Sequence, residues 1–362
     1  MGQRTRNDAL EISQHHQNPK RSPFVAQQLF YKVNYALKAF PPQKAKSPRL
    51  RDEFRAHLTM RHFSPRTVDC YVSWVIQFVI WSGKRDPRLL GPDEVGAFLS
   101  HLANDRHVTA KTQTQALCAL VKFYDDFLEK PLGDLGRFAA ACRPPRLPVV
   151  FSRSEAHRVI DAMKGVTKLV SQLLYGAGLR IGEAVKLRVK DVDFERGTVT
   201  VRGGKGDKDR QVPLPDVVRG PLLEHLARLK LHFDSDGGWP VELPNALGKK
   251  YPGAEREWCW QYIFAARNLS TDPADGRTKR WHIFPETVQQ AVKQAVAVVG
   301  ISKKASCHTF RHSYATHLLE SGVPIYDVQK LLGHSRLETT MIYNHVISPL
   351  EKRIKSPLDE KP

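Results

Sequence analysis

His308-Thr309-Phe310-Arg311-His312-Ser313-Tyr314-Ala315-Thr316-His317-Leu318 reads as one helix, and the rest of the chain is best understood around it. Phe310, Tyr314, Leu318 and Leu319 recur at the spacing of a single helical face. His308 and Arg311 are three residues apart, so their side chains lie one turn apart on a common side. An imidazole beside the rigid donor fork of a guanidinium is a good clamp for a phosphate oxygen. What that clamp means depends on whether the chain supplies the rest of a phosphate site.

The bulk composition says which partners to expect. With 362 residues the chain is long enough for two domains, each with its own core, and 41% hydrophobic with 26% charged residues is ordinary for a globular protein. The formal net charge of +19 is not ordinary. It implies a polyanionic partner, nucleic acid above all. A membrane surface has the same sign, but no long apolar run and no signal peptide is present, since the opening residues are polar and charged. Five scattered cysteines without a C-x-x-C pair fit a reducing cytoplasm, with neither a disulfide framework nor a zinc finger.

Residues 1–45 read as a basic, flexible extension rich in Gln, Asn, Lys and Pro, with a short helical pattern from Phe30 to Phe40. Residues 46–135 hold four helices. Ser64-Pro65 opens one and Gly83 closes it, with Val68, Tyr71, Val72, Val75, Ile76 and Val79 as its apolar stripe. Pro92 and Thr109 open the next two; the last turns Leu117, Leu120, Val121, Tyr124 and Leu128 inward. Its polar face presents Lys111, Thr112, Gln113, Gln115 and Lys122, of which Lys111 and Lys122 are candidate phosphate contacts. Residues 136–150 form a Pro-rich linker whose Arg143-Pro144-Pro145-Arg146 is stiff and basic, making Arg143 and Arg146 further candidates for DNA contact.

Ser152-x-x-Glu155 is a capping box that starts the second domain, residues 151–350, followed by a tail at 351–362. Helical patterns are expected at 153–164, 167–176, 181–187, 217–231, 286–299, 307–321, 325–332 and 337–346. Thr198-Val199-Thr200-Val201 alternates like a strand, and Gln211-Val212-Pro213-Leu214 is its return partner. The fold class is therefore mainly α with a small antiparallel sheet (α+β). Residues 234–285 stand apart as aromatic and basic.

Five separated pieces carry chemistry. Arg180 sits in Gly178-Leu179-Arg180-Ile181-Gly182-Glu183, at a helix start where backbone amides face an anion. Lys205 is at the tip of a Gly-rich hairpin, His308-x-x-Arg311 is the clamp, His334 follows a helix-ending Gly333, and Tyr343 lies on a short helix nine residues on. Singly, each has an ordinary structural reading. Together they are what metal-free attack on a phosphodiester requires. Tyr343 is the nucleophile, Arg180 and Arg311 bind the non-bridging oxygens, and His308 and His334 hydrogen-bond the phosphate, His308 doubling as candidate base. Lys205 protonates the departing 5′ oxygen. No cofactor and no metal is called for. His312 and His317 read as structural neighbours.

The order Arg180, Lys205, His308-x-x-Arg311, His334, Tyr343, with Gly-Leu-Arg-Ile-Gly-Glu, Leu-Leu-Gly-His and Thr-Thr-x-Ile-Tyr around them, resembles the tyrosine recombinases (phage integrase family) over roughly residues 45–350. That resemblance implies an N-terminal helical core-binding (SAM-like) domain, a tyrosine-recombinase catalytic domain, and a DNA strand transferase working as a homo-tetramer, with residues 346–355 docking on a neighbouring subunit. Within the family, residues 241–285 look like the insertion of integron integrases, through Leu243-Pro244, Lys250-Tyr251-Pro252 and Glu257-Trp258-x-Trp260-Gln261-Tyr262-x-Phe264. This implies folded single-stranded cassette sites as partners, with Trp260, Trp281 and His282 stacking on extrahelical bases. Two departures stand out: Trp281 replaces the first of a usual His pair, and Ala265-Ala266 replaces Pro-Ser.

Other readings are a metallohydrolase built on the His308-x-x-x-His312 spacing, a non-catalytic DNA-binding relative, and a phage-type or chromosome-resolving recombinase acting on duplex sites. The first lacks the glutamate of the zinc-protease motif, Thr309 standing after His308, and Arg311 between the two ligands would repel a cation. The charge makes a prediction of its own. The DNA affinity of this chain should fall steeply and log-linearly with salt between about 50 and about 200 mM, as read by fluorescence anisotropy.

Overall fold

Caps and apolar stripes decide where each helix of the N-terminal part begins and how it packs. The computed structural model describes residues 49–142, 147–203, 209–244, 247–272 and 275–343. These fall into two compact units, divided between residues 144 and 145.

The first unit is helical: α1 Leu50–Met60, α2 Pro65–Trp81, α3 Pro92–Asn104 and α4 Ala110–Val121, the last running on into a π turn over Lys122–Phe127. The Ser64 hydroxyl accepts from Thr67 N–H at 3.2 Å, and Pro65 occupies the first turn, satisfying one of the donors that a helix start leaves open. Thr109 caps α4 in the same way, at 3.2 Å from Thr112 N. Val68, Val72, Val75 and Phe78 of α2 pack against Leu120 and Phe123 in a core that also takes in Phe54 and Leu99. Phe54 meets Phe123 edge to face at 5.1 Å and 86°, a favoured aromatic arrangement. Tyr124 is wholly buried and donates its hydroxyl hydrogen to Pro87 O at 2.8 Å.

Two expectations about α4 are corrected. Leu117 and Val121 lie at the core's edge, while Ala116 and Ala119 are fully buried; small side chains let this helix approach its neighbours closely. Gln113 belongs to the interior, not to the polar face. Its Nε2 donates to Leu99 O at 2.9 Å and Ala139 O at 2.7 Å, and its Oε1 accepts from Ala141 N at 2.8 Å. One amide therefore stitches the irregular segment after α4 to two helices.

The second unit begins with α5 Arg153–Asp161, where the expected capping box is formed: Ser152 Oγ accepts from Glu155 N at 3.1 Å and Ser152 N donates to Glu155 Oε2 at 2.7 Å. Then come α6 Gly165–Gly176, α7 Ile181–Ala184, β1 Val192–Asp193, β2 Thr198–Val201, β3 Arg210–Pro213, α8 Asp216–Ser235 and α9 Leu247–Lys250. After them follow β4 Ala265–Thr271, β5 Thr278–His282, α10 Pro285–Val298, α11 Cys307–Glu320, α12 Ile325–Leu332 and α13 Glu338–Met341. β1, β2 and β3 form an antiparallel sheet in which Val199 pairs with both Val192 and Val212. The main core gathers Val170, Leu173 and Leu174 of α6, Val288 and Val292 of α10, Phe310 of α11 and the sheet valines.

The segment 241–285 adds a second sheet that sequence alone does not reveal, the bulged antiparallel pair β4–β5. Beneath it Phe233, Trp239, Val241 and Tyr262 make a satellite cluster, with Trp258 and Trp260 packed on it. Lys279 of β5 is buried between Asp272 at 2.8 Å and Asp275 at 2.6 Å. Residues 1–45, the Phe30–Phe40 helix, Arg143, Arg146, Lys205, residues 346–355 and the tail lie outside the described residues. The helix expected at 337–346 ends at Met341, so Tyr343 lies in the turn after α13 and not on it. No helix among the described residues is long and apolar enough to cross a membrane.

Because Gln113 satisfies three backbone groups at once, Gln113→Ala should destabilise the N-terminal unit by about 2–3 kcal/mol. Amide hydrogen exchange at Ala141 should accelerate accordingly, which NMR or mass spectrometry would read.

Candidate active site

α11 is buried nearly all round, which its mixed composition disguises: Thr309, Arg311, Ser313, Thr316 and His317 are as buried as Phe310 and Ala315. Phe310 enters the main core, whereas Tyr314 and Ala315 join a smaller one with Val328, Leu332 and Tyr343. Ser313 and His317 find partners where they lie, whereas the buried Thr316 hydroxyl has none among the described residues. Ser313 Oγ donates to Thr309 O at 2.7 Å and accepts from Phe151 N at 2.9 Å; His317 Nδ1 meets Tyr175 Oη at 2.9 Å. A helix wedged between two close-packed cores has little freedom to shift, so Arg311 is held firmly.

Arg311 is 4% exposed. Its Nη1 donates to Gly178 O, and its Nη2 to Leu332 O at 2.5 Å and His334 Nε2 at 3.3 Å. Gly178 is there for two reasons: its φ is +64°, and a Cβ would lie 2.4 Å from the Tyr314 ring, closer than any side chain tolerates. The backbone then turns directly into Arg180.

Arg180, Arg210 and Arg311 all converge on Glu183. The carboxylate accepts from Arg180 N–H at 2.8 Å and Arg180 Nη1 at 2.7 Å. It accepts from Arg210 in bidentate fashion at 3.0 and 2.7 Å, and lies 3.8 Å from Arg311 Nη1. Burial pushes the Glu183 pKa up, but the Arg210 and Arg180 hydrogen bonds outweigh it and hold the carboxyl at about 2. Burial, then the neighbouring charge of Arg180, brings Arg311 down to about 9, still cationic at neutral pH.

Arg210 Nε donates to Leu331 O at 2.9 Å, tying β3 to the end of α12. Gly333 caps that helix with φ +61°, and a Cβ there would meet Arg210 Cδ at 2.9 Å. His334 follows. A guanidinium only donates, so His334 Nε2 accepts from Arg311, and Nδ1–H is left to donate to Thr340 Oγ1 at 2.9 Å. Burial, then Arg311 and Arg180, depress His334 to about 4; it is neutral at pH 7.

Tyr343 is 2% exposed and lies almost parallel to His334, ring centroids 6.4 Å apart at 15°. Its hydroxyl is 2.9 Å from His312 Nδ1. Burial raises its pKa, opposed by the charges of Arg311 and Arg180. His308 is exposed at the head of α11, its ring centroid 6.4 Å from that of His312. Partial desolvation, then Arg311 and Arg180, lower its pKa.

The structure thus brings Arg180, Arg311, His334 and Tyr343 into one cluster, with His308 at its rim. Glu183, Arg210 and His312 are the members that sequence reasoning passed over. Signals existed: Glu183 stands three residues after Arg180, and His312 one turn beyond His308. The other candidates are elsewhere. Lys122 pairs with Asp126 at 2.7 Å and Lys111 is exposed. Trp260 carries the Lys190 ammonium 2.9 Å from its ring centroid, Trp281 is half-buried, and His282 packs edge-on against Tyr262 at 5.3 Å while its Nδ1 donates to Ile283 O at 2.8 Å. Among the described residues no group of three or more His, Cys, Asp or Glu side chains is arranged to hold a metal ion.

Comparison with known proteins agrees with this geometry. The model of the phage integrase family matches residues 150–348, and that of the phage integrase N-terminal SAM-like domain matches residues 50–134. The chain belongs to the phage integrase family. It is a tyrosine recombinase, an enzyme of site-specific DNA recombination. An integrase/recombinase of Escherichia coli is 44% identical over 89% of this chain and 96% of its own length, and the tyrosine recombinase XerA of Thermococcus kodakarensis is 31% identical over 82% and 90%. Among solved structures, XerH bound to a palindromic difH substrate covers 89% of this chain and 86% of itself at TM-score 0.56 with 19% identity. A lambda integrase dimer on a COC′ core site covers 81% and 93% at TM-score 0.55 with 18% identity. These two show the recombinase fold.

Glu183 makes the sharpest prediction here. Its carboxylate is ionised in the folded state down to about pH 2 but in the unfolded chain only above about pH 4.3. Its stabilisation is therefore complete above the latter pH and is lost as pH falls toward the former. Glu183→Gln should cost about 3 kcal/mol at pH 7, and urea unfolding should show the gap between variant and wild type closing in acid.

Proposed function

We propose that this recombinase is of the integron integrase type, integrating and excising gene cassettes by cutting and rejoining strands through a 3′-phosphotyrosine on Tyr343. The single observation that carries the chemistry is the gathering of Arg180, Arg311, His334 and Tyr343 into one cluster, its two arginines held on the half-buried Glu183 carboxylate and His334 set between Arg311 and Tyr343. Three guanidinium groups facing one Glu183 leave an excess of positive charge in a partly desolvated site, where it stabilises the charge that grows on a pentavalent phosphorus. Arg180 and Arg311 hold the non-bridging oxygens, and His308 and His334 add hydrogen bonds. In the free site the neutral His334 uses its one N–H on Thr340, so it donates to the phosphate from Nε2 once the negative charge of the phosphate draws a proton onto that nitrogen. Lys205, at the tip of the β2–β3 hairpin, protonates the 5′ oxygen as it leaves. The tyrosyl ester stores the energy of the broken bond, so rejoining needs no nucleotide.

DNA is the partner that the +19 charge fits. The enzyme works as a homo-tetramer on two paired sites in the cytoplasm, residues 346–355 docking between subunits. The integron assignment rests on the aromatic segment 241–285, whose β4–β5 hairpin and Trp-rich satellite cluster form a platform for unpaired bases; Trp260, Trp281 and His282 are its stacking residues, and Lys111, Lys122, Arg143 and Arg146 contact phosphates. A second reading, a phage-type or chromosome-resolving enzyme on duplex sites, is favoured by one observation: the Trp260 face carries the Lys190 ammonium and His282 is turned onto Tyr262.

On a nicked suicide substrate, wild type should accumulate covalent protein–DNA adduct and Tyr343→Phe none; adducts from the variant would overturn the nucleophile assignment. Electrophoretic binding to folded bottom-strand and to duplex cassette sites decides the substrate class. Preference for the folded strand, lost roughly tenfold or more (~1.4 kcal/mol) in Trp260→Ala, is the expected result; equal binding favours the duplex reading.

A further inference from the structure

Tyr343 leaves one question open: where its proton goes. A phenol is a poor nucleophile until its hydrogen is removed, and a positioned base contributes roughly 10²–10⁴-fold to such a step. His308 sits exposed at the rim of the site, whereas the Tyr343 hydroxyl lies 2.9 Å from His312 Nδ1, and the two rings are 5.5 Å apart at 50°.

We propose that His312 is the general base for Tyr343, a catalytic residue in its own right and not a structural neighbour of the clamp; the inference rests on Tyr343 being the nucleophile. Its surroundings suit the task. Burial, then His308 and Arg311, depress His312 to about 4, so the imidazole is neutral at working pH and one ring nitrogen is bare. With the phenol as donor, Nδ1 is that nitrogen and Nε2 carries the ring hydrogen. The groups that face the pair are His308 and Arg311 on α11, His334 after α12, and Arg180 at the start of α7, which with Arg311 opposes the burial-driven rise in the Tyr343 pKa. Cationic Arg311 and Arg180 favour the phenolate over the phenol, and Arg311 disfavours the His312 imidazolium until the phosphate arrives to neutralise it.

The step balances. The Tyr343 O–H bond breaks, its proton passes to His312 Nδ1, and the oxygen pair forms the bond to phosphorus. The bond from phosphorus to the 5′ oxygen breaks, and that oxygen takes a proton from Lys205. On rejoining, the 5′ hydroxyl gives its proton back to Lys205 as its oxygen bonds to phosphorus, the bond from phosphorus to the Tyr343 oxygen breaks, and the imidazolium returns its proton to that oxygen.

The test uses the full-length chain and the same nicked DNA, with single-turnover adduct formation as readout and DNA binding as the check on folding. His312→Ala should bind normally yet cleave about 100-fold more slowly or worse, and added imidazole should restore part of the rate. In His312→Gln, which keeps a hydrogen-bonding side chain, cleavage should rise about tenfold per pH unit between about pH 7 and about pH 9, as hydroxide replaces the base; wild type should be flat there. Cleavage by His312→Ala within about threefold of wild type, or a slow rate that ignores imidazole and keeps the wild-type pH profile, overturns the proposal. A Tyr343→Phe variant that still forms adducts sinks the nucleophile reading beneath it, a separate and distinguishable failure.

Discussion

One half-buried carboxylate sets the architecture of the catalytic unit. Glu183 accepts hydrogen bonds from Arg180 and Arg210 and lies within ion-pair distance of Arg311, so three cations from three parts of the chain are referred to a single point. Taking any one of these charges out of water alone would be costly. Collected around an ionised glutamate they compensate one another in part, and the remainder is an uncancelled positive field. That remainder suits the proposed chemistry: a phosphodiester placed there would meet donors already oriented and charge already desolvated, which leaves little reorganisation for the reaction itself.

From this point the site spreads outward through backbone carbonyls. Arg311 reads Gly178 O and Leu332 O, and Arg210 reads Leu331 O. Two guanidinium groups therefore inspect the end of α12 from opposite partners, and His334 is set by where that helix stops. His334 in turn holds Thr340, and the Thr340 carbonyl accepts from the Tyr343 amide at 3.1 Å. Tyr343 is thus reached from the carboxylate through a short relay: the Glu183–Arg311 ion pair, the Arg311–His334 and His334–Thr340 hydrogen bonds, and a local turn from Thr340 to Tyr343.

Much of this was legible in the sequence. Ser64-Pro65 and Ser152-x-x-Glu155 announce helix starts because side-chain oxygens there answer a local need of the backbone, and the Thr198–Val201 alternation announces a strand that is buried on one face. What failed to show had a physical reason in each case. β4, Ala265-Ala-Arg-Asn-Leu-Ser-Thr, is half-buried to exposed along its whole length, so no two-residue period marks it. α11 was read as an amphipathic helix with one inward face, yet Thr309, Ser313, Thr316 and His317 are buried too, and Ser313 and His317 are met by Phe151 and Tyr175, far away in sequence. Arg180, Arg311, His334 and Tyr343 were legible because their spacing and flanking residues are distinctive; Glu183, Arg210 and His312 join the cluster through contacts between residues 27 or 31 positions apart, which leave no local trace.

Gly178 bears on how this enzyme can change. It has no chemistry of its own, yet its carbonyl receives Arg311, its backbone turns in the left-handed region, and the Tyr314 ring occupies the space where a side chain would begin. Catalytic side chains can be exchanged for others and leave a folded, weakened protein; this position offers no such gradation. In a library of random variants of this chain, tolerance should therefore be lower at Gly178 than at the side chains it positions, because no substitution there is partial.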